Sequence, residues 1–296
     1  MTILEALRQT IDALKDRGIE NPRLEAELLL AHSLGLSKEK LYTCLRDPMP
    51  EPRKETLGEL VRRRTCREPL PYILGRQEFW SIDLKVDPRV LIPRPETEHL
   101  VEEALVILKS LSSPREPVVL ELGTGSGAIA ISLVKEAKEI FLVATDISEE
   151  ALKVARENAE GASVSNRIRF VRGDLLQPFL PRGGFDLILS NPPYIPEPAI
   201  EGLMPEIRHY EPLIALRGGE DGLDFYRRLI PQCPSYLREG GWLLLEVGSQ
   251  QAGIVLKMME EDGRYQLVEI LKDLSGRERV VKAQRRRTLN GLPQAG

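Results

Sequence analysis

Cysteine is scarce in this chain of 296 residues, and its three copies, Cys44, Cys66 and Cys233, form no C-x-x-C pair. That excludes a disulfide scaffold, and an odd, scattered count fits reduced thiols in a cytoplasmic protein. Histidine is equally rare. His32, His99 and His209 lie far apart without metal-ligand spacing, so no metal is expected. No apolar run approaches the ~20 residues that span a bilayer, so no membrane partner is expected either. The opening MTILEALRQTIDALKDRG has acids within its first turns and no cleavage site of small residues, unlike a signal peptide. Internal repeats are missing too. What is present is an ordinary folding composition, 42% hydrophobic and 29% charged. Its length suggests two domains, at roughly 100–200 residues each.

Charge is unevenly spread. The formal net charge is −4, yet the last twenty residues hold six bases (Arg277, Arg279, Lys282, Arg285, Arg286, Arg287) against Glu278, leaving about −9 on the rest. Residues 285–296 read as a basic, flexible tail, solvated unless a polyanion meets it.

Residues 1–68 read as a small helical domain. Leu4, Leu7, Ile11 and Leu14 recur at helical spacing, as do Leu24, Leu28 and the residues flanking Ala31. Asn21-Pro22 has the form of a helix start, with asparagine as cap. Pro48, Pro50 and Pro52 precede another helix running into Arg62–Arg64. Thirteen bases face twelve acids through residue 70, with no catalytic cluster, so this domain is expected to hold a partner. Residues 69–95 read as a β-hairpin linker: EFWSIDLKV alternates with period two, and Gly75 supplies a turn. Phe79 and Trp80 are expected to pack the core there. The segment IPRPETE (92–98) then leads into a helix near Glu96; its Arg94 and Glu96 either close a ligand site or form a salt-bridged helix start.

From residue 96 to 284 strands and helices alternate. Strands are expected at 118–123, 141–146, 168–174, 185–193 and 242–248, with a closing pair at 265–271 and 278–283 separated only by a turn. This pattern predicts an α/β fold, a mostly parallel, doubly wound sheet with at least one antiparallel pair.

Glu121-Leu-Gly-Thr-Gly-Ser-Gly127 lies between the first of these strands and its helix. The spacing is neither the G-x-G-x-x-G of dinucleotide binders nor a G-K-[ST] phosphate loop, so a small nucleoside-like ligand fits better. Asp146 ends the next strand at the offset where an acid meets ribose hydroxyls, and Asp174, beside Leu175, ends the third. Asp174 would accept from an exocyclic amine and Leu175 would cover the ring. Glycines and acids at successive strand ends point to S-adenosylmethionine.

Ser190-Asn191-Pro192-Pro193-Tyr194 follows the fourth strand. Two prolines stiffen the backbone and hold the Asn191 amide and the Pro192 carbonyl in one orientation. Those acceptors suit both N–H bonds of a planar NH₂ group, leaving its lone pair aimed at a methyl donor. No general base is then required, and Tyr194 would wall the acceptor.

Taken with EPLPYILGRQEFWSIDLKVDPRVLIPRPETEHLVE (68–102), ELGTGSGAIA (121–130), DISEEAL (146–152), YEPLIALRGGEDGLDFYRRLI (210–230) and LLLEVGSQQ (243–251), the chain resembles the HemK/PrmC family of protein-(glutamine-N5) methyltransferases. That resemblance implies a seven-stranded methyltransferase fold behind a helical N-terminal domain, joined by the hairpin. It implies methyl transfer from S-adenosylmethionine, with S-adenosylhomocysteine as product, to the glutamine of the Gly-Gly-Gln loop in class 1 peptide chain release factors. By position it places Gly123, Thr124, Gly125, Ser126, Gly127, Asp146 and Asn191 at the cofactor, where Glu121, Asp174 and Leu175 are expected with them. Asn191, Pro192, Pro193 and Tyr194 are placed at the substrate glutamine. Leu175 departs from relatives with an aromatic there, which weakens adenine stacking. The expected protein is a cytoplasmic monomer. The alternatives are an adenine-N6 nucleic-acid methyltransferase, which the acidic bulk disfavours, and a non-catalytic ribosome-docking protein, which the intact NPPY loop disfavours. No direct DNA substrate is expected.

Overall fold

The computed structural model describes residues 1–111 and 115–287. It divides into a helical unit, Met1–Arg76 with Leu203–Tyr210, and a larger unit, Gln77–Gly202 with Glu211–Gly296.

The helical unit contains α1 (Ile3–Asp16), α2 (Pro22–Leu34), the short α3 (Lys38–Leu41), α4 (Glu51–Thr65) and α5 (Leu70–Leu74). Thr2 opens α1 with a capping box: its hydroxyl accepts from the Glu5 amide while Glu5 accepts from the Thr2 amide. Pro22 stands in the first turn of α2 as expected, but the Asn21 side chain makes no cap bond. The buried stripe of α2 also differs. Leu30, beside Ala31, is buried as expected, but the stripe continues through Ala26 and Leu29, while Leu24 is exposed. The shift accommodates Glu27, a buried carboxylate that accepts from Tyr42 Oη at 2.6 Å and pairs with Arg23 and Lys38. The unit's core joins Leu7, Leu14, Leu29, Leu30, Leu41, Leu57 and Ile73.

Because α5 belongs to the helical unit, the hairpin is shorter than residues 69–95. It consists of β1 (Arg76–Phe79) and β2 (Ile82–Lys85). The turn is made by Trp80 and Ser81, both at positive φ (53° and 55°), whereas Gly75 ends α5. Phe79 is buried in the core, and Trp80 Nε1 donates to Glu136.

After a single 3₁₀ turn at Pro95–Thr97, the larger unit continues through α6 (Glu98–Ser110), β3 (Val118–Leu122), α7 (Ala128–Glu136), β4 (Phe141–Asp146), α8 (Glu149–Gly161), β5 (Ile168–Arg172) and β6 (Phe185–Ser190). Then follow the short α9 (Pro205–Tyr210) of the helical unit, α10 (Asp224–Gln232), β7 (Leu237–Glu246), α11 (Ala252–Asp262), β8 (Tyr265–Lys272) and β9 (Glu278–Arg285).

Seven strands form one sheet in the order β5-β4-β3-β6-β7-β9-β8. The first five are parallel, and β9 inserts antiparallel between β7 and β8. Alternate residues of each strand enter opposite cores, as period-two geometry requires. Val119, Leu142, Leu187 and Leu244 meet α6 and α7, while Leu120, Val143, Ile188 and Leu243 meet α10 and α11.

The basic C-terminal stretch is largely part of this sheet. Arg279 pairs with Asp273 and Glu96, Lys282 with Glu103 and Glu269, and Arg286 Nε donates to the Tyr265 carbonyl. Arg285 belongs to β9, so the tail begins later than residue 285; its remainder, 288–296, lies outside the described residues.

Candidate active site

The strand order turns back between β3 and β6, and a cleft opens there at the carboxyl ends of the strands, the usual ligand position in such sheets. Its empty volume is about 960 Å³ including the open mouth, room for a nucleoside-sized ligand. Gly123, Gly125, Asp146, Gly173, Asp174, Leu175, Asn191, Pro192 and Pro193 line it.

The turn after β3 depends on glycine. Gly123 and Gly125 have φ of 76° and 54°, and a Cβ on either would point into open space. Gly127 works differently. A Cβ there would lie 3.2 Å from that of Ala155, so this glycine packs α7 against α8. Thr124, Ser126 and Glu121 are also buried and do not line the cleft. The Glu121 carboxyl accepts from Thr124 Oγ1 at 2.7 Å through Oε2, while Oε1 has no hydrogen-bond partner among the described residues. Burial pushes its pKa up to about 8, with a contribution from the nearby Asp146 charge.

Asp146 receives the amides of Gly125 and Ser148, each at 2.9 Å. Burial raises its pKa and these amides oppose the rise. A carboxylate offers about four acceptor positions, so two remain for a diol. Asp174 accepts from Arg228 Nη2 at 2.5 Å, a partner the sequence did not suggest. Leu175 lines the cleft at φ 50°, an uncommon conformation for leucine. The cleft also uses Arg89, Val90 and Leu91, which precede IPRPETE, rather than Arg94. Arg94 instead pairs with Glu211 at 2.5 Å, and Glu96 with Arg279, so both are salt-bridged.

The Asn191 loop is braced from several sides. Asn191 Nδ2 donates to Thr97 Oγ1 at 3.2 Å, which brings IPRPETE against NPPY. Ile195 N donates to the Leu216 carbonyl and Gly218 N to the Ile195 carbonyl. Gln251 Nε2 donates to the carbonyls of Tyr194 (2.9 Å) and Gly222 (3.1 Å). Tyr194 does not line the cleft; its phenol is pushed up to about 12 by burial. Glu246, one position beyond the Ser190–Leu245 register pair, is 3% exposed, with Oε2 unpartnered among the described residues. Burial raises it to about 7, while Thr97, Arg279 and Asn191 favour its charged form. Sequence reasoning passed over Glu246 and Gln251. A lone acid inside the apolar run WLLLEVG was the available signal.

Two family models match: residues 5–75 fit the PrmC N-terminal domain and residues 100–203 the Methyltransferase small domain. A curated relative from Geobacter sulfurreducens, named Release factor glutamine methyltransferase, is 44% identical over 280 residues, covering 95% of each chain. A relative of the same name from Moorella thermoacetica is 41% identical over 287 residues, covering 97% of this chain and 99% of its own. Among solved structures, the hMettl16 catalytic domain in complex with the MAT2A 3′UTR hairpin 6 superposes with a TM-score of 0.54. It is 17% identical and covers 79% of this chain and 84% of its own, a likeness of fold alone.

Proposed function

Since the chain belongs to the release factor glutamine methyltransferase family, we propose that it methylates the side-chain amide nitrogen of the glutamine in the Gly-Gly-Gln loop of class 1 release factors. The observation that carries the reading is the position of Asn191-Pro192-Pro193, directly after β6 and lining the glycine cleft. Full-length similarity to enzymes of that name supports the same substrate.

S-adenosylmethionine is the methyl donor of this reading, supplying an electrophilic methyl group. The cleft's residues fit it: open glycine positions at 123 and 125, a half-buried carboxylate at Asp146 with acceptor capacity to spare, and Asp174 beside Leu175. Asp146 would take the ribose hydroxyls, Asp174 the exocyclic amine through its second oxygen, and Leu175 the face of the ring.

The remaining chemistry is orientation. An amide nitrogen is a weak nucleophile because its lone pair is delocalised into the carbonyl. Asn191 Nδ2 is committed to Thr97, which leaves Oδ1 as the acceptor for one substrate N–H. The Pro192 carbonyl takes the other, and both N–H bonds are then held in place. The nitrogen becomes strongly acidic on methylation and loses its proton readily, so no catalytic base is needed. The helical unit is read as the surface that grips the rest of a release factor in the cytoplasm.

The test incubates enzyme and methyl-labelled cofactor with release factor, its Gln→Ala loop variant, and duplex DNA. Label is expected in the native factor alone. Label in DNA, or equal label in the loop variant, would reject the substrate assignment.

A further inference from the structure

The side chains beneath the Asn191 loop form a chain of donors and acceptors whose polarity matters. Asn191 Nδ2 donates to Thr97 Oγ1, and the Thr97 and Asn191 side chains both lie near enough to the Glu246 carboxyl to favour its charged form. Thr97 and Glu246 are 5% and 3% exposed, so bulk solvent has little access to either. Ser190 pairs with Leu245 across the β6–β7 ladder, which sets Glu246 in register beside Asn191. Tyr226 Oη donates to the Glu246 carbonyl and anchors that strand end from α10.

We propose that Glu246, acting through Thr97, is a positioning residue that decides which end of the Asn191 amide faces the acceptor. The inference rests on reading Asn191 as the residue that grips the substrate amide. An ionised carboxylate can only accept. Beside Thr97 it draws the hydroxyl proton toward itself, which leaves the Thr97 oxygen to accept from the NH₂ end of Asn191, as observed. Oδ1 is left for the substrate. The carboxylate also polarises the chain, making that oxygen a better acceptor. A protonated Glu246 can donate instead; Thr97 could then turn its proton toward Asn191 and the amide could flip.

The groups facing Glu246 bear on its charge. Arg279 on β9 favours the carboxylate, and Glu96 in the turn before α6 opposes it. Tyr194 after β6 and Tyr226 on α10 are both raised by burial and stay protonated near neutral pH. A carboxyl pushed up to about 7 therefore loses its proton as pH rises through neutrality, and the acceptor-only state appears with it.

The experiment compares full-length wild type, Glu246→Gln, Thr97→Val and Thr97→Ser. Glu246→Gln keeps the shape but can donate as well as accept. It is expected to lower kcat for release factor by about tenfold, the size of a charge-assisted hydrogen bond. KM and cofactor affinity should stay within about twofold of wild type, and the rise of kcat with pH through neutrality should be lost. Thr97→Val should match it, and Thr97→Ser should restore activity. The side-chain amide ¹⁵N resonance of Asn191, read without substrate, should shift in Glu246→Gln and Thr97→Val but not in Thr97→Ser. An unmoved Asn191 resonance in Glu246→Gln, or wild-type kcat and pH profile in that variant, overturns the inference. A shifted resonance without methyl transfer to release factor by the wild type would instead overturn the substrate reading and support the relay.

Discussion

Arg64 Nη1 donates to Glu206 Oε1 at 3.0 Å within the helical unit, although 142 positions separate the two residues. Arg64 also pairs with Glu25 at 2.5 Å, and Arg67 with Glu206 at 2.8 Å. The segment Leu203–Tyr210, soon after the Asn191 loop in sequence, is thus held among the N-terminal helices.

Arg64→Ala should destabilise the protein by about 3–5 kcal/mol, because Glu25 and Glu206 lose a shared buried cation. Chemical denaturation of full-length protein measures this directly. A loss below about 1 kcal/mol would show that the two carboxylates find other partners. Deleting residues 1–68 removes both Arg64 and Arg67 from Glu206. A deletion that abolishes methylation would therefore mix lost docking with an orphaned carboxylate, and surface substitutions on the helices isolate docking better.

Much of this molecule was legible in its sequence. Alternating strands and helices require a doubly wound sheet, and the closing hairpin with its antiparallel strand followed from a turn too short for a crossover. The cleft positions of Gly123, Gly125, Asp146 and Asn191 were expected because strand ends carry ligands in such sheets, whereas Gly173 was not. Illegible were relationships set by distant packing: α9 joining the helical unit, Arg228 on Asp174, and Glu246 under Asn191. The Leu24–Leu28 stripe misled because Glu27 is buried by partners outside its helix, which rotates the apolar face. Gly127 belongs to the same motif as Gly123, and only its close approach to Ala155 separates packing from ligand contact.

Asp146→Ala should weaken S-adenosylmethionine binding by about 1.5–3 kcal/mol, the range for hydrogen bonds to a charged group. The variant also releases the amides of Gly125 and Ser148, so the glycine turn loses its tether. Calorimetry on the free enzyme provides the measurement; unchanged affinity would remove Asp146 from the site.

Asn191→Ala should do the reverse, sparing cofactor affinity while lowering turnover by roughly 10²–10³-fold. Its amide orients the acceptor and is not the main cofactor contact in this reading. Turnover near that of wild type would reduce the NPPY loop to a proline-rich turn.

Gly222→Ala should impair methyl transfer without touching the cleft. Gly222 has φ 80°, and a Cβ there would lie 2.4 Å from the Tyr194 carbonyl oxygen and 2.5 Å from Gln251 Nε2. The bond that Gln251 makes to Tyr194 must then break or the loop must move, at a cost of about 1–3 kcal/mol. Gly253→Ala in α11 is the control, since its Cβ meets nothing within 4 Å. The control should gain roughly 0.5–1 kcal/mol of stability. Equal activity in both variants would show that the Tyr194 backbone position is not critical.

The last expectation concerns Glu121 and the dependence of stability on pH. Its pKa is about 8 in the folded protein, raised first by burial, against an ordinary carboxylate value of about 4.3 when unfolded. The folded state therefore holds this proton more tightly than the unfolded one. Stability from this group is fully present below about pH 4.3, declines as pH rises, and is gone once pH passes 8. Each pKa unit corresponds to about 1.4 kcal/mol. Glu121→Gln retains an acceptor for Thr124 Oγ1 but carries no titrating proton. The variant should gain stability relative to wild type as pH rises from 5 to 8, by about 1.4 kcal/mol for each unit traversed. Urea denaturation of both proteins at pH 5, 6.5 and 8 makes the comparison. Parallel curves would mean that Glu121 ionises in the folded state at an ordinary pH, and that its unpartnered oxygen is hydrated.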